Sequence, residues 1–217
     1  MSLLSRALLL VAPRRRVRAA FTRHFERRDW EEPETASGRG SSLRSTAAIR
    51  EELPALFREL QIRTVTDAGC GDFHWQRELP VELDDYVGIE VVDALVRQNQ
   101  QRYGQPGRRF VSLDVIRDPL PRADLILCRD CLVHLKTRQV AAALRNFRRS
   151  GSRYLLATTF TGEHPNDDAP LGGWRPLNLE RPPFDLGAPI RLISEAASVE
   201  DPRFADKALA LWRLSGA

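Results

Sequence analysis

Val65-Thr66-Asp67-Ala68-Gly69-Cys70-Gly71-Asp72 is the part of the sequence that decides the fold. An apolar run that ends in an acid and is followed by two glycines one residue apart is typical of a buried strand that breaks into a tight turn. Because Gly69 and Gly71 lack a Cβ, the backbone of this turn can approach a ligand closely. The stretch therefore predicts a ligand site at the carboxyl end of a strand.

Two further acids close the strand-like runs that follow. Glu90 ends the run Tyr86-Val87-Gly88-Ile89, 19 residues after Gly71, and Asp114 ends the run Phe110-Val111-Ser112-Leu113. An acid about 20 residues beyond a glycine turn is placed to accept hydrogen bonds from ribose hydroxyls. We expect Glu90 to bind the ribose, and Asp114 the adenine amino group, of an adenosine-bearing cofactor.

The residues after the turn argue against a dinucleotide. A dinucleotide fingerprint needs a third glycine, so that a helix packs closely and its N-terminus receives the pyrophosphate. Here the chain continues Asp72-Phe73-His74-Trp75, with an acid where a phosphate would lie. A carboxylate at this position repels a phosphate. The cofactor should therefore lack a pyrophosphate and carry positive charge, as S-adenosylmethionine does.

With these motifs the chain resembles the class I S-adenosylmethionine-dependent methyltransferases, specifically over residues 65–129 and more loosely to the C-terminus. The motifs Cys-Gly-Asp-Phe-x-Trp, Arg-Asp-x-Leu-Val-His-Leu and Gly-Gly-Trp-Arg-Pro-Leu-Asn-Leu also resemble a bacterial subgroup that acts on sugars or other small metabolites. The resemblance implies S-adenosyl-L-methionine as the cofactor and S-adenosyl-L-homocysteine as the product. It also implies a Rossmann-like α/β fold with a doubly wound, mostly parallel seven-stranded sheet and an antiparallel last strand. Asp72 departs from the family's commoner third glycine at the amino-acid end of the pocket.

The pattern of the whole chain predicts a parallel sheet with helices on both faces, because continuous apolar strands alternate with helices. We expect helices at 46–60, capped by Thr46 and containing Pro54, at 93–101 and at 137–149. The predicted strands are 64–67, 85–89, 109–113, 124–128, 154–158, 190–193 and 208–214.

The charge of the chain is unevenly distributed. Residues 1–28 contain eight arginines and one acid, Glu26, and so carry +7, which leaves about −3 for the rest of a chain whose net charge is +4. We therefore divide the chain into a basic N-terminal extension and loop at 1–45 and a methyltransferase domain at 46–217. A domain that is not basic makes nucleic acid an unfavourable substrate. The extension could be an amphipathic helix on an anionic membrane or partner, a transit-like leader, or a helix folded on the flank of the domain, which we favour.

Composition points to a cytoplasmic protein. Cys128 and Cys131 fall in a C-x-x-C register, but within an apolar strand-to-turn run and without a second pair or companion histidines at zinc spacing. These two residues and Cys70 are therefore interpreted as buried thiols in a reducing compartment. No compact cluster of metal ligands occurs, so no metal is expected. No apolar run approaches the ~20 residues that a transmembrane helix needs. The sequence carries no prediction of the oligomeric state.

Methylation of a hydroxyl group requires a base whose pKa lies near neutrality. His134 follows the fourth predicted strand, in a segment that the resemblance places beside the transferring methyl group. Asp130, four residues earlier, could orient the imidazole or accept the proton itself. A packing or capping role for His134 is the alternative. His164 is the second choice of base, His74 would contact the cofactor or pack, and His24 is expected to take no part.

The remaining site residues are assigned around the cofactor. Asp67 and Asp72 are expected to surround its amino group, while Trp75 either packs on the cofactor or belongs to the core. The full predicted cofactor-binding set is Asp67, Gly69, Gly71, Asp72, Trp75, Glu90, Asp114 and Arg129.

A proline-rich segment at 160–189 lacks helical periodicity. A structureless stretch of this length inside a domain is usually functional or disordered. Because it follows a strand that ends at the cofactor edge, we interpret it as a substrate-covering loop, with Asn166, Trp174 and Asn178 as substrate-binding residues. A plain connection is the alternative.

Together these features predict a biosynthetic methyltransferase that acts on a small polar metabolite, with an oxygen acceptor such as a sugar favoured. An RNA or protein methyltransferase steered by the basic extension is one alternative. A binding protein that holds the cofactor without turnover is another, and a nicotinamide oxidoreductase is a third.

Overall fold

A mixed sheet forms the centre of the protein, whose computed structural model describes residues 16–30, 32–196 and 201–214. Its strands are β1 (Thr64–Ala68), β2 (Asp85–Glu90), β3 (Arg108–Ser112), β4 (Leu125–Cys128), β5 (Tyr154–Phe160), β6 (Arg191–Ser194) and β7 (Lys207–Arg213). They lie in the order β3-β2-β1-β4-β5-β7-β6. Neighbours among β1 to β5 pair in parallel, whereas β7 is antiparallel to β5 and β6. The predicted fold class, including the antiparallel last strand, is confirmed.

Helices cover both faces of this sheet. Side chains that alternate along β4 belong to two different hydrophobic clusters, because successive residues of a strand point to opposite faces. Ile126 and Cys128 pack in the cluster that includes Phe147, and Leu125 and Leu127 pack in the other. The helices are α1 (16–27), α2 (Ala47–Glu59), α3 (Asp93–Tyr103) and α4 (Thr137–Arg149).

The start of α2 corrects one detail of the sequence analysis. Thr46 stands at the N-cap position, but its hydroxyl makes no capping bond and donates instead to the carbonyl oxygen of Ser42 at 2.9 Å. Pro54 lies inside the helix, as predicted, and is buried.

The register of the parallel strands brings the predicted acids to one edge. Asp67 is the next-to-last residue of β1, and Glu90 is the last residue of β2. Asp114 follows β3 by two residues, and Asp130 follows β4 by two. These carboxyl ends are neighbours in the sheet, so the four side chains share the edge where open α/β sheets bind ligands.

The described part of the basic extension is folded onto the domain. Val17 and Ala20 of α1 are buried, and Val17 and Phe21 pack against the same hydrophobic cluster as α4. The helix lies over the carboxyl edge of the sheet rather than on its flank, as the cavity described below requires. Residues 1–15, on which the leader and membrane interpretations largely depend, lie outside the described residues.

A membrane-spanning helix is not found in the described part of the chain, where each helix is too short or too polar to cross a bilayer.

Candidate active site

Two glycines shape the turn after β1. Gly69 and Gly71 have φ values of +90° and +55°, in the left-handed region that favours glycine. A Cβ on Gly71 would lie 2.2 Å from Ser37 Oγ, and one on Gly69 would lie 2.9 Å from Cys131 Cβ. The turn therefore needs glycine because two other segments of the chain approach it closely. Both glycines also line the cavity at this edge, and close approach of a ligand to them stays a prediction.

One of these segments is held by Asp72. Its carboxylate accepts hydrogen bonds from the hydroxyls of Thr35 and Ser37 and from the backbone N–H of Ala36, at 2.8–3.0 Å. The Asp72 N–H in turn donates to Ser37 Oγ at 2.9 Å. Asp72 was predicted to bind the cofactor's amino group. The bonds seen here fix residues 35–37 of the extension over the glycine turn, and the role toward the cofactor stays a prediction.

Asp67 is the most deeply buried acid at this edge, with 1% of its surface exposed. Its carboxylate accepts hydrogen bonds from Tyr86 Oη at 2.5 Å and from Gln76 Nε2 at 2.9 Å. Burial raises the pKa of Asp67 to about 6, although these two bonds oppose the shift. Asp67 is therefore an acid that changes charge just below neutral pH.

Gln76 has a fixed orientation next to Asp67. The Cys70 carbonyl can only accept, so the amide group that lies 3.0 Å from it must be Nε2, which donates both there and to Asp67. This leaves Gln76 Oε1 buried without a hydrogen-bond partner among the described residues. A buried acceptor of this kind suits a ligand donor, because leaving it unsatisfied is unfavourable.

Glu90 is oriented by the backbone of its own turn. Its Oε1 accepts from the N–H groups of Val91 at 2.7 Å and Val92 at 3.0 Å, and its Oε2 accepts from Gly71 N–H at 3.3 Å. Burial raises the pKa of Glu90, while these backbone bonds favour the charged form. The carboxylate thus links the end of β2 to the glycine turn.

Asp114 is similarly tied to its local backbone. One of its carboxylate oxygens accepts from Ile116 N–H at 2.9 Å, and its own N–H donates to Asp118 Oδ2 at 2.9 Å. Asp114 is buried and faces the cavity described next, whereas Asp118 does not line it.

A cavity of about 120 Å³, called here the first cavity, lies at the carboxyl edge of the sheet. Every residue of the predicted cofactor-binding set lines it, as do the two predicted catalytic residues, Asp130 and His134. Sequence reasoning missed several other lining residues, which come from the extension and from the turn after β1. Among them are Val17, Phe21, Trp30, Ser37 and Gln76.

The sequence does contain a signal for the residues that α1 contributes to the first cavity. Val17 and Phe21 are four residues apart, and Ala20 lies between them, so the three share one helical face. Trp30 and Ser37 carry no comparable periodicity.

Arg129 and Asp130 belong to a buried cluster of charges. Arg129 Nη2 and Nε lie 2.5 Å and 3.1 Å from Glu195 Oε2, and Lys207 Nζ lies 2.6 Å from Asp130 Oδ2. Further contacts of 3.3–3.4 Å join Arg129 to Asp130 and Lys207 to Glu195. Two cations and two carboxylates thus neutralise one another between β4, β6 and β7. The Arg129 guanidinium also lies over the Trp75 ring, 5.6 Å from its centroid.

This cluster argues against the predicted proton-accepting role of Asp130. Although burial acts to raise it, the charges of Lys207 and Arg129 hold the pKa of Asp130 well below its usual range. A carboxylate that is so weakly basic cannot take a proton near neutral pH. Nor does it orient the imidazole of His134, whose hydrogen bond goes to another group. Asp130 has a φ of 52°, and strained backbone of this kind recurs at functional sites.

His134 lies at the end of a single turn of 3₁₀-helix, Leu132–His134, after β4. Its Nδ1 lies 3.2 Å from the Gly173 carbonyl oxygen, which can only accept. Nδ1 therefore carries the hydrogen, and the lone pair of the neutral ring is on Nε2. Burial lowers the pKa of His134, an effect that Asp130 opposes, so the ring is neutral at pH 7. These are the tautomer and charge state that a general base needs.

The ring of His134 is held between aromatic side chains of the extension. Trp30 lies 5.1 Å away between centroids and Phe21 lies 6.4 Å away, edge-on. Trp30 is itself stacked on His24 at 4.7 Å, and Gly172 leaves the space that the His24 ring occupies. His24, which was expected to take no part, therefore supports the wall of the site.

The other histidines lie outside the cavity. His74 is buried and lies 3.3 Å from Glu34 of the extension, so it packs rather than facing the cofactor edge. His164 pairs with Asp206 at 2.8 Å. Neither lines the first cavity.

The middle of the segment 160–189, at Gly172 and Gly173, contacts the site at His134. The Gly172 N–H donates to the His134 carbonyl at 3.0 Å, next to the bond from His134 Nδ1 to Gly173. Trp174 lines a second cavity, beside the first. Asn166 and Asn178 do not line either cavity.

The two asparagines brace the segment instead of facing a substrate. The Asn166 side chain donates to the carbonyls of Asn178 and Pro182 and accepts from the Asn178 N–H, at 2.8–3.0 Å. Asn178 Nδ2 donates to the Gly162 carbonyl at 3.1 Å. Both side chains are thus engaged within the segment, and the substrate-binding roles of Asn166 and Asn178 stay predictions that these contacts do not favour.

The three thiols are free, as expected. Cys70 and Cys128 are buried, and Cys131 is half-buried beside Gly69. Burial raises the pKa of the Cys70 thiol well above its usual value. The described residues contain no cluster of side chains arranged to hold a metal ion.

Comparison with known proteins supports the fold. No family model and no curated protein matches the chain. The N-methyltransferase NodS from Bradyrhizobium japonicum, solved with S-adenosyl-L-homocysteine, has a TM-score of 0.63 at 14% identity, covering 89% of this chain and 97% of its own. The 1,6-didemethyltoxoflavin-N1-methyltransferase from Burkholderia thailandensis has a TM-score of 0.62 at 16% identity, covering 99% of this chain and 91% of its own.

The chain has the class I methyltransferase fold. At these identities the likeness concerns the fold alone, and one neighbour illustrates the difference between fold and reaction. The [4+2]-cyclase SpnF matches with a TM-score of 0.53 at 16% identity, over 77% of this chain and 82% of its own. The function must therefore be argued from the site.

Replacing Glu195 with glutamine tests the buried charge cluster. Glu195 is 0% exposed, and its loss leaves Arg129 and Lys207 facing one carboxylate. Breaking a buried pair typically costs about 3–5 kcal/mol, so we expect a loss of about 3 kcal/mol in the free energy of unfolding, measured with urea. Glu59→Gln is the control, because Glu59 pairs with Arg191 on the surface and should cost less than about 1 kcal/mol. Equal losses for the two variants would contradict the cluster's structural role.

Proposed function

We propose that the chain is an S-adenosylmethionine-dependent methyltransferase that methylates an oxygen atom of a small polar metabolite. The observation that carries the proposal is the convergence of Asp67, Glu90 and Asp114 on one cavity, at the carboxyl edge of a class I methyltransferase fold. Three acids at three strand ends match a ligand that offers ribose hydroxyls, an adenine amino group and positive charge. They do not match a pyrophosphate.

The residues present fit this cofactor. Both NodS and the didemethyltoxoflavin enzyme hold S-adenosylhomocysteine in their solved structures. In this chain the buried Asp67 carboxylate and the unsatisfied Gln76 Oε1 lie side by side, which suits an ammonium group with several donors. Glu90 would accept the ribose hydroxyls and Asp114 the adenine amino group. When bound, the cofactor supplies an electrophilic methyl group on a good leaving group.

His134 is the proposed general base. The lone pair of its Nε2 would accept the proton of the acceptor hydroxyl, while the Gly173 carbonyl keeps the other ring nitrogen protonated. The position of the ring supports this role, since His134 lines both the first cavity and the second cavity beside it. A base at the junction could reach a substrate in one cavity and a methyl donor in the other. Most of the remaining rate enhancement comes from holding the two reactants in the alignment that methyl transfer needs.

A small acceptor is favoured over RNA or protein by the position of the extension. Val17, Phe21 and Trp30 line the first cavity, so α1 and the residues after it cover the edge that a macromolecular substrate would have to approach. Arg18, one of the extension's cations, is paired with Asp93 and donates to Ser112 at 2.9 Å.

Transfer of a labelled methyl group tests the proposal. The protein is incubated with methyl-labelled S-adenosylmethionine and a bacterial extract, which is then separated into protein, RNA and small-molecule fractions. We expect label in the small-molecule fraction only. Label in RNA or protein would support the alternative of a macromolecular substrate, and binding of the cofactor without transfer to any fraction would support a non-catalytic binding protein.

The affinity for S-adenosylmethionine should rise with pH because of Asp67. Its pKa of about 6 means that the carboxyl is mostly neutral at about pH 5 and mostly ionised at about pH 7. The cofactor is cationic, so it binds the ionised form better, and the dissociation constant should fall up to about tenfold over this range. Calorimetric titration measures it. Asp67→Asn should flatten the dependence, and an equally steep profile in that variant would assign the titration to another group.

His134→Gln should lower kcat about 10²–10⁴-fold, because the proton of the acceptor then has no base. The dissociation constant for the cofactor should change little. In the wild type, log kcat should rise with pH to a plateau below about pH 7, and this limb should be lost in the variant. His164→Gln is the control, since His164 lies outside both cavities. A His134→Gln enzyme at full rate would assign the residue to packing.

A further inference from the structure

We propose that His24 and Trp30 of the N-terminal extension are positioning residues for the proposed base. His24 holds the indole ring of Trp30. The indole in turn holds the imidazole of His134 in the orientation that keeps Nδ1 on the Gly173 carbonyl and the lone pair on Nε2. This rests on the proposed function for the role of His134, and it adds two residues that act through that base.

The rings of His24, Trp30 and His134 contact one another in sequence. The imidazole of His24 and the indole of Trp30 have centroids 4.7 Å apart and planes 15° from parallel, which is a stacked arrangement. The Trp30 centroid lies 5.1 Å from that of His134, with an angle of 36° between the planes. Aromatic pairs at these distances attract one another in preferred orientations. The orientation of the His134 ring therefore depends on where the indole is held.

Trp30 is held by other parts of the extension as well. Phe21 of α1 contacts it, with ring centroids 5.8 Å apart. Gly38 has a φ of +88°, and a Cβ there would lie 3.5 Å from the Cβ of Trp30. Gly38 directly follows residues 35–37, which the Asp72 carboxylate fixes. The indole is thus anchored to the domain through the glycine turn as well as through α1.

His24 is fixed by partners of its own. Its Nδ1 lies 2.7 Å from Asp29 Oδ2, and the Asp29 N–H donates to the His24 carbonyl at 3.0 Å. Gly172 lies directly against the ring, since a Cβ at Gly172 would be 2.3 Å from His24 Nε2. The Gly172 N–H donates to the His134 carbonyl at 3.0 Å. His24 therefore supports both the indole that packs on the base and the segment that binds its backbone.

The same rings shield the imidazole of His134 from water. Burial is the main cause that lowers the pKa of His134. Two titratable groups also act on it: the charge of Asp130, which is paired with Lys207, raises the pKa, and the charge of His24 lowers it. Removing the indole would admit water beside the ring, so the pKa of His134 should then rise.

NMR of the imidazole nitrogens tests the proposal without turnover. The full chain is labelled with ¹⁵N in its 4 histidines, and His134→Gln identifies the signals of His134. In the wild type we expect the neutral ring to carry its hydrogen on Nδ1. In Trp30→Ala we expect a mixture of the two tautomers and a titration midpoint at higher pH. Trp30→Phe, which keeps a ring beside both histidines, should stay close to the wild type.

The part assigned to His24 is tested through Trp30. His24→Ala should also mix the tautomers of His134, whereas His24→Phe, which keeps a flat ring on the indole, should not. The effect of His24→Ala on the tautomer should be at least about twofold smaller in the Trp30→Ala background, because coupled residues are not additive.

Tyr103→Ala is the matched control. It removes a half-buried ring that packs on Phe73 at 5.4 Å, and Tyr103 lines neither the first nor the second cavity. The signals of His134 should be unchanged in this variant. A thermal melt verifies that each variant is folded, and if Trp30→Ala is not, the pair His24→Ala and His24→Phe gives the same comparison.

The rate of methyl transfer gives a second measurement. Trp30→Ala should lower it about 10–100-fold, because displacing a catalytic group by about 1 Å has an effect of this size. Trp30→Phe should restore the rate.

An unchanged tautomer and midpoint in Trp30→Ala would overturn the proposal, and so would equal changes in Tyr103→Ala. Fully additive effects of His24→Ala and Trp30→Ala would overturn the part assigned to His24. Failure of the proposed function is separately visible as absence of methyl transfer or of cofactor binding, whereas the NMR measurement requires neither.

Discussion

Burial of charge at the carboxyl ends of the strands is the constraint on which the rest of the site depends. Asp67 is 1% exposed and keeps an accessible ionised form only because Tyr86 and Gln76 donate hydrogen bonds to it. Glu90 is held by backbone N–H groups, and Asp130 by two cations. Each carboxylate therefore has its own compensating partners, without which ionisation at that depth is strongly unfavourable. These partners come from β2 and the residues that follow it, from the turns after β1 and β4, and from β7, so the fold itself sets the charge of the cavity.

The N-terminal extension completes this arrangement. Asp72 fixes residues 35–37 over the glycine turn, and α1 buries Val17 on the domain. Together they enclose the first cavity and bring Trp30 against His134. The basic extension therefore also has a structural role, to which the apolar face of α1 and the hydroxyls of Thr35 and Ser37 contribute. The same segment supplies Arg39 and Arg44 to the lining of the second cavity.

Features that depend on local sequence could be predicted, and features that depend on distant partners could not. The end of each parallel strand is marked by an apolar run followed by an acid, so Asp67 and Glu90 could be placed at one edge from periodicity alone. The role of Asp130 could not, because Lys207 lies 77 positions away in the sequence. Asn166 and Asn178 have the chemistry of substrate ligands, but their amides are used within the segment itself. Gln76 carries no sequence signal, since its orientation follows only from Asp67 and the Cys70 carbonyl.

The most direct test of the account is calorimetric titration of the full chain with S-adenosylmethionine and with NAD⁺ under the same conditions, near neutral pH. The acid-lined cavity predicts that S-adenosylmethionine binds with one molecule per chain and that NAD⁺, whose pyrophosphate would meet these carboxylates, neither binds nor competes. Binding of NAD⁺ in place of S-adenosylmethionine would contradict the central claim, whatever the sheet topology shares with methyltransferases.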